Sequence, residues 1–278
     1  MNHHHPLSPP VFPYPWASDW GEDRYGLWQA FTYLGIRQAF RWLPPGSFMM
    51  GSPETEQGRY DDEDLHPVTL SQGFWLAETA VTQTLWQAVM GENPSRFKGD
   101  KRPVESVDRD DAQAFIKRLN QTLPHLKTRL PWEAEWEYAC RAGRQTPFNF
   151  ADELTLAKVN YWGRWGNEAD EWGQNAKWES AEVKSYPCND WGLYEMHGNV
   201  WEWCEDAWQK HLGHQAVQDP WQQSVSARVA RGGSWRGDGG GVRSAIRSRR
   251  RPGLRSDDLG FRLALDHSSS SQEGGAKA

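Results

Sequence analysis

The segment Gly192-Leu-Tyr-Glu-Met-His-Gly-Asn-Val-Trp-Glu-Trp203 shows in twelve residues how the whole chain is built. It combines glycines, which permit sharp turns, with tryptophans, which fill large spaces in a core. The rest of the chain repeats this composition, with 26 Gly, 17 Pro and 18 Trp among 278 residues. We therefore expect a loop-rich fold in which Gly and Pro fix the turns and indole rings fill an irregular core.

The overall composition indicates a globular protein. A length of 278 residues allows one large domain or two small ones. With 24% charged and 37% apolar residues, wholesale disorder is excluded, and no apolar run approaches the length of a membrane helix. The N-terminus has no basic segment followed by an apolar one, and Cys140, Cys188 and Cys204 contain no C-x-x-C pair. We expect a cytoplasmic protein with free thiols and no membrane association.

Charge is distributed unevenly along the chain. The net charge is −6, yet residues 228–262 contain ten Arg and three Asp, a net charge of +7 that leaves −13 for the remainder. Such a basic segment can bind nucleic acid, but arginines within a folded segment more often pair with carboxylates or stack on aromatic rings. A nucleic-acid-binding adaptor is therefore our third hypothesis. It predicts salt-sensitive DNA or RNA binding that is lost when arginines near Arg249 are replaced.

Local patterns place several regular elements. Thr82 and Gly91 suit the two ends of a first helix, Asp108 can cap a second with an apolar stripe, and Gly143 ends a third that starts at Glu133. Residues 145–183 carry few signals of regular structure, which is typical of binding regions or of segments held by ions. Strands are predicted at Ala39–Leu43, His66–Leu70 and Phe74–Ala80, and the acidic loop Glu54–Asp64 is expected to lie outside the core.

Several phrases occur in a fixed order along the chain. They are Gly46-Ser-Phe-Met-Met-Gly-Ser52, Thr82-Gln-Thr-Leu-Trp86, Arg129-Leu-Pro-Trp-Glu-Ala-Glu-Trp-Glu-Tyr-Ala139, the Gly192–Trp203 segment, Arg228-Val-Ala-Arg-Gly-Gly-Ser-Trp235 and Leu259-Gly-Phe-Arg-Leu-Ala264. Together they resemble the formylglycine-generating enzyme (sulfatase-modifying factor) family over about residues 40–265. The resemblance implies an α+β fold that is C-type-lectin-like and of the formylglycine-generating-enzyme type, with few regular elements and many loops.

The resemblance also suggests how the chain divides. We expect a Pro-rich tail and packed N-terminal extension in residues 1–38, the formylglycine-generating-enzyme-like domain in 39–266, and a disordered tail in 267–278. Within the domain, residues 228–265 are the candidate variable, ligand-binding segment. Trp132 stands where the family has a Thr that caps the third helix, so another group must bind the N-terminal amides of that helix.

The cysteines expected of a family enzyme are missing. Members that oxidise a substrate cysteine hold copper with two cysteines just after the Gly-Gly-Ser-aromatic turn, because thiolates suit this soft metal. Here no Cys follows Cys204, and the two places fall on Gly237 and on Gly239 or Val242. An iron-dependent branch of the family takes its ligands from an N-terminal helical bundle that the short extension here cannot supply. We expect a non-catalytic relative that uses neither copper nor iron.

Calcium is the cofactor that the resemblance implies. In the family, the turn that matches Gly192–Trp203 wraps a calcium ion, which places side-chain ligands at Glu195 and Glu202 and backbone carbonyl ligands at Gly198 and Val200. Hard oxygen ligands on an irregular loop suit this ion. The alternative is that Glu202 pairs with an arginine such as Arg262 and binds no metal.

A second family calcium site would fall near Asn160 and Asn175. By contrast, His66, His125 and His197 have no partner at metal-ligand spacing and are interpreted as structural residues.

The last segment is most similar to the variable proteins of diversity-generating retroelements, a branch of the family. In these proteins, variable positions derived from Asn codons alternate with a constant framework, and the genetic code forbids Lys, Glu, Gln, Trp and Met there. None of these residues occurs at the twelve corresponding positions, which we call the display positions. They are Arg236, Gly237, Asp238, Gly240, Gly241, Ile246, Ser248, Arg250, Leu254, Ser256, Asp257 and Asp258.

Strand alternation predicts which side chains of this segment face outward. Ile246, Ser248 and Arg250 should share the outer face, while Arg247 and Arg249 turn inward to carboxylate partners. Loops on a rigid frame tolerate such variation.

We therefore expect a binding protein whose ligand is unidentified and is another protein. The alternatives are a sulfatase-modifying-factor family oxidoreductase with a non-standard metal site, an ordinary family member with a drifted terminal segment, and the nucleic-acid adaptor.

Overall fold

A computed structural model describes residues 7–150, 154–163, 165, 176–223 and 227–266. Within these residues, thirteen short strands form three sheets, beside three helices and one turn of 3₁₀ helix at Gly240–Val242. The helices are α1 (Gln83–Met90), α2 (Arg109–Thr122) and α3 (Glu133–Arg141). The strands are β1 (Asp19–Asp23), β2 (Gly26–Tyr33), β3 (Ile36–Leu43), β4 (Gly46–Met50), β5 (His66–Leu70), β6 (Phe74–Ala77), β7 (Thr128–Arg129), β8 (Trp201–Ala207), β9 (Val217–Gln218), β10 (Arg228–Arg231), β11 (Arg247–Arg250), β12 (Leu259–Gly260) and β13 (Ala264–Asp266).

The N-terminal extension is built into the largest sheet. This sheet has the strand order β1-β2-β3-β6-β13-β7, so the antiparallel hairpins β1-β2 and β2-β3 extend it on one side. Phe12 stacks on Trp75 of β6 with ring centroids 6.0 Å apart, and Trp42 lies 5.3 Å from the same ring. The predicted boundary between residues 38 and 39 falls inside β3, because this strand pairs with both the extension and the domain.

The first two helices begin where the sequence predicts. The Thr82 hydroxyl accepts a hydrogen bond from Leu85 N at 3.3 Å, and Gly91 ends α1 with a φ of 89°. Asp108 caps α2 by accepting from Asp111 N at 2.9 Å, and the Asp111 carboxylate accepts in return from Asp108 N at 3.0 Å. These reciprocal bonds satisfy amides that the helix itself leaves free.

The third helix confirms that another group replaces the missing cap. Trp132 at the N-cap makes no side-chain hydrogen bond, and Asp206 of β8 accepts from Glu133 N at 2.5 Å instead. Burial, followed by the negative charge of Glu133, raises the pKa of Asp206 to about 7. The helix ends at Ala142, which takes a left-handed conformation just before the predicted stop at Gly143.

The last segment supplies three strands of a second sheet, β10, β11 and β12, in the order β11-β10-β8-β12. Phe261 is fully buried, and its ring meets those of Trp86 and Phe115 edge-on at 6.1 and 5.5 Å. The rings of Trp86 and Phe115 stack on each other at 5.4 Å. This aromatic core joins α1 and α2 to the motif Leu259–Ala264, so the framework of the last segment is also the core of the domain.

The remaining predictions for the fold are largely confirmed. Strand β5 spans the predicted His66–Leu70, but the strand expected to reach Ala80 ends at Ala77. The main chain bends at Glu78 and Thr79, although Glu78 N still donates to Ala39 O at 3.0 Å. Described residues between 145 and 183 form no helix or multi-residue strand. The tail predicted at 267–278 lies outside the described residues. The α+β fold of the formylglycine-generating-enzyme type, with few regular elements, is thus confirmed.

Candidate functional site

Four arginines of the last segment are buried, so part of the positive charge of this segment lies inside the protein. Each has a carboxylate partner from another part of the chain, as expected for arginines in a folded segment. Such pairs are stable only when their remaining donors are also satisfied, and main-chain carbonyls supply many of these bonds. The pairs are Arg231 with Glu137, Arg243 with Glu56 and Glu63, Arg247 with Glu133, and Arg262 with Glu202.

The acidic loop Glu54–Asp64 is the source of two of these partners, Glu56 and Glu63, and the expectation that it lies outside the core is wrong. Glu63 is fully buried, with its two oxygens 2.6 and 2.8 Å from the guanidinium of Arg243. The Ser52 hydroxyl donates a further hydrogen bond to Glu63 at 2.6 Å. The loop is polar because it neutralises a buried cation, which the local sequence does not reveal.

Glu202, the first expected calcium ligand, forms a bidentate pair with Arg262. Nε and Nη2 of Arg262 lie 2.6 and 2.7 Å from the two carboxylate oxygens. The indole Nε1 of Trp136 donates to one of these oxygens at 2.7 Å. The ion pair of the alternative interpretation is therefore present.

Glu195, the second expected side-chain ligand, has a different environment. Its φ of 49° is left-handed, and burial raises its pKa to about 7. One carboxylate oxygen accepts a long hydrogen bond of 3.4 Å from Tyr186 N. The other oxygen, Oε2, is inaccessible to solvent and has no hydrogen-bond partner among the described residues. A buried acceptor without a partner is costly and would be satisfied by a cation or by protonation.

Gly198 and Val200 hold the turn against the neighbouring loop. A Cβ at Gly198, where φ is 73°, would lie 2.2 Å from the carbonyl oxygen of Asn160, so only Gly fits. That carbonyl accepts from Asn199 N at 2.8 Å, and Val200 is buried. The two predicted calcium regions therefore touch at Asn160. Asn175, the other residue of the second site, lies outside the described residues.

The oxygen ligands of this turn suit a cation at Glu195 better than one at Glu202, because the charge of Glu202 is already balanced by Arg262. Within the described part of the chain, no three His, Cys, Asp or Glu side chains are grouped so that they could hold a metal ion. A calcium ion would consequently depend on one carboxylate and main-chain carbonyls.

The display positions fall into two regions. The loop that contains Arg236–Gly241 is closed by a 2.9 Å hydrogen bond from Gly241 N to the Asp238 carboxylate. It meets the second region through the ion pair of Arg236 with Asp257, whose closest atoms are 2.6 Å apart. Arg250 of β11 lies with its guanidinium carbon 5.3 Å from the ring centroid of Trp201. The half-buried members of the set are Gly237, Gly240, Gly241, Ser248, Arg250, Leu254 and Ser256.

Three display positions are not on the surface, and this part of the prediction is wrong. Ile246, Asp257 and Asp258 are only 5, 9 and 7% exposed. Ile246 precedes β11, where regular strand alternation does not yet apply. The carboxylate of Asp258 instead accepts from the Ser234 hydroxyl at 2.8 Å.

The prediction that Arg247 and Arg249 both turn inward is wrong for Arg249. Arg249 is exposed, whereas Arg247 on the same strand is buried.

The glycines of this loop differ in the space around them. A Cβ at Gly241 would meet its nearest atom, the Asp238 carboxylate oxygen, at 3.5 Å, and at Gly240 the same oxygen at 3.3 Å. At Gly233 the added atom would lie 2.1 Å from the carbonyl oxygen of Gly241, and at Gly239 it would meet the Trp165 ring at 2.5 Å. In this loop, the display glycines Gly240 and Gly241 are thus less crowded than Gly233 and Gly239, although Gly253, which is also outside the display set, has open space.

The resemblance places the two oxidase cysteines at Gly237 and at Gly239 or Val242. Val242 is fully buried in a small apolar cluster with Phe148, Val159 and Tyr161. Gly237 is half-buried in the loop before it. An aliphatic side chain and a hydrogen atom provide no ligands.

A buried Cys–His pair lies beneath this cluster. The Sγ atom of Cys140 is 3.7 Å from Nε2 of His197, whose Nδ1 is 2.7 Å from the Val242 carbonyl oxygen. Burial raises the pKa of Cys140 to about 12 and lowers the pKa of His197 to about 4. Both groups are neutral at pH 7, so the thiol is not activated as a nucleophile. The interpretation of His197 as a structural residue agrees with these contacts.

Sequence reasoning missed a surface cleft beside Arg236. It is a cavity of about 460 Å³, and we call it the aromatic cleft. Its aromatic residues are far apart in sequence, and no spacing rule connects them. The lining residues are Arg96, Phe97, Trp162, Trp178, Trp235 and Arg236.

Comparisons with known proteins agree with this geometry. The model of the sulfatase-modifying factor enzyme 1-like domain matches residues 37–267. Formylglycine-generating enzyme of Mus musculus is 31% identical over 210 residues, which cover 73% of this chain and 54% of the mouse protein. The enzyme of Streptomyces coelicolor is 35% identical over 65% of this chain and 58% of its own length. The chain thus spans little more than half of these enzymes.

Two solved structures share the fold. Treponema denticola variable protein 1 superposes with a TM-score of 0.72 and 30% identity, covering 86% of this chain and 99% of its own. PvdO from Pseudomonas aeruginosa gives a TM-score of 0.69 with 27% identity, covering 90% and 98%. The expected similarity to a variable protein is confirmed. The described residues contain no helix that is long and apolar enough to cross a membrane.

Proposed function

The chain belongs to the sulfatase-modifying factor enzyme 1-like family, and from this premise we propose that it is a non-catalytic binding protein. In this proposal, the display positions form a diversified surface on a rigid scaffold, as in the variable proteins of diversity-generating retroelements. The ligand is another protein.

The observation that carries the proposal is the contrast among the glycines. At the display positions Gly240 and Gly241, the nearest atom to an added Cβ is a carboxylate oxygen of the Asp238 side chain, 3.3 and 3.5 Å away. Gly233 and Gly239 are not display positions, and an added Cβ would lie 2.1 and 2.5 Å from its nearest atom. A surface whose side chains vary needs space at every varied position and a fixed backbone between them. A terminal segment that had merely drifted would have no reason to keep this difference between display and framework glycines.

The chemistry of the site supports the non-catalytic part of the proposal. In this proposal, Gly237 and either Gly239 or Val242 stand where an oxidase of the family has its two cysteines. The buried Cys140 and His197 are both neutral at pH 7. The alternative function is an oxidoreductase of the same family with a different metal site. The identity to formylglycine-generating enzymes favours it, although those enzymes extend well beyond the part matched here.

Two further parts of the proposal concern calcium and location. We propose that Glu195, with the carbonyls of Gly198 and Val200, binds calcium, and the carboxylate oxygen that lacks a partner supports this assignment. We also propose a cytoplasmic location, because Cys140, Cys188 and Cys204 are free and a reducing compartment keeps thiols in this state.

A display experiment tests the proposed function. The nine display positions that are not buried are randomised together on yeast, and clones are selected on immobilised hen egg-white lysozyme. A control library randomises nine buried framework positions. We expect folded, target-specific clones from the first library alone. If the first library loses surface expression to the same extent as the control, the display function is refuted.

An activity assay tests the alternative. The purified protein is incubated with copper, oxygen and a cysteine-containing peptide, and mass spectrometry searches for the aldehyde product. Formation of aldehyde above a boiled control would refute the non-catalytic proposal.

A further inference from the structure

The aromatic cleft has an apolar floor built from pairs of rings. Phe97 and Trp235 meet edge to face with ring centroids 5.5 Å apart, and Trp162 and Trp178 meet at 6.0 Å. Trp178 is 48% exposed, which is unusual for so large an apolar side chain. A volume of about 460 Å³ lies in the range of pockets that enclose a small ligand, roughly 300–1,000 Å³.

The charges at the mouth of the cleft are positive. The side chains of Arg96 and Arg236 are 64 and 46% exposed, whereas their shared partner Asp257 is only 10% exposed. The other carboxylate beneath the floor, Glu105, is fully buried and accepts from Phe97 N at 2.8 Å. Cations therefore face the solvent and carboxylates face the protein.

This arrangement selects among possible ligands. Aromatic walls alone can hold a cation, but two guanidinium groups at the rim repel one. A nucleic acid needs a track of cations for successive phosphates, whereas the residues that line this cleft include two arginines, Arg96 and Arg236, at one rim. A ligand with an aromatic ring and an adjacent carboxylate can contact the apolar floor with its ring and the arginines of the rim with its charge.

We propose that the aromatic cleft anchors an aromatic side chain of the protein ligand and that Arg96 and Arg236 bind a carboxylate next to it. An acidic side chain and a chain terminus both supply this carboxylate, and the chemistry of binding is the same. This inference rests on the proposed function and adds a constraint to it. Of the lining residues, only Arg236 is a display position, so ligands selected by different surfaces share one fixed anchor.

Small probes test the chemistry directly. N-acetyl-L-phenylalanine carries an aromatic ring and a negatively charged carboxylate. N-acetyl-L-phenylalanine amide keeps the ring but is uncharged, and phenethylamine carries the ring with a positive charge. Dissociation constants are measured by NMR titration of the full chain. We expect the carboxylate to bind roughly two- to fivefold more tightly than the amide, as for an exposed ion pair, and the amine to bind most weakly.

Variants locate the binding site. Trp178→Ala should weaken all three probes roughly tenfold or more, because it removes a large apolar contact. Arg236→Gln should bring the affinities for the carboxylate and the amide together without abolishing either. The matched control is Trp221→Ala, since Trp221 is 47% exposed and pairs with Trp132 beside another cavity.

Several results would overturn the anchor. They are the absence of binding by any probe, preference for the amine, an equal effect of Trp178→Ala and Trp221→Ala, and displacement of the probe by oligo-dT. Failure of the display function is distinguished by the yeast library. If a library built on Trp178→Ala still yields protein binders, the anchor fails and the display function stands. If the parent library yields none while N-acetyl-L-phenylalanine still binds, the reverse holds.

Discussion

Replacing single glycines tests the proposed division between display and framework. Gly241→Asn and Gly240→Asn add side chains at positions where φ is negative and the nearest atom to a Cβ is 3.5 or 3.3 Å away. We expect each to change the free energy of unfolding by no more than about 0.5 kcal/mol, as at other surface positions. Loss of glycine's freedom in the unfolded chain offsets part of any cost.

Gly233→Ala should behave very differently. Its φ of 73° is left-handed, which costs a residue with a Cβ roughly 1–2 kcal/mol. The added carbon would also lie 2.1 Å from the carbonyl oxygen of Gly241, and overpacking of this kind typically costs about 1–3 kcal/mol. The sum is about 2–5 kcal/mol, which lowers the melting temperature of a domain of this size by roughly 4–20 °C.

The measurement is a set of urea and thermal unfolding curves recorded side by side. Gly239→Ala provides an intermediate case, because its Cβ would meet the movable ring of Trp165 and not the main chain. If Gly240→Asn and Gly241→Asn destabilise the protein as much as Gly233→Ala, the display positions belong to the framework and the reasoning is refuted.

Three further results are expected. Phe261→Ala should cost roughly 3–5 kcal/mol in urea unfolding, because it empties a fully buried aromatic site, and a loss under 1 kcal/mol would contradict the assigned core. Glu195 and Asp206 have a pKa of about 7, above their values in the unfolded chain, so stability should fall as pH rises from about 4 to 7. In Glu195→Gln, the melting temperature should depend less strongly on pH over that range, and an unchanged pH dependence would count against the raised pKa of Glu195. A chelator should lower the melting temperature, and Glu195→Gln should abolish that response. Glu202→Ala should destabilise the protein with or without calcium. If neither chelator nor calcium changes the melting temperature of the parent protein, the calcium site at Glu195 is excluded.

Sequence reasoning located the helices well because their signals are local. A capping residue such as Asp108 and a stop such as Gly91 act within one turn, so the chain itself contains the evidence. The family motifs likewise identified the fold, although neither propensity nor periodicity would have produced its three small sheets.

The misplaced residues all depend on contacts between distant segments. Glu63 appeared too polar for the core, but 180 residues separate it from the arginine that requires its charge. Ile246 was placed on the surface by an alternation that starts only at Arg247. The aromatic cleft was missed for the same reason, since Phe97, Trp178 and Trp235 meet only in the folded chain.

The buried ion pairs explain how one segment can belong to the core and also carry the proposed display surface. Breaking a buried pair such as Arg247 with Glu133 costs roughly 3–5 kcal/mol, so the framework resists change, whereas a half-buried neighbour such as Ser248 has no such pair to lose. Asp257 departs from this separation, because it is a display position that binds both Arg96 and Arg236. Any replacement of Asp257 leaves two cations without their partner at the mouth of the aromatic cleft. Substitutions at 236 and 257 are therefore coupled, and the charge that the cleft offers to a ligand is set by the two positions together.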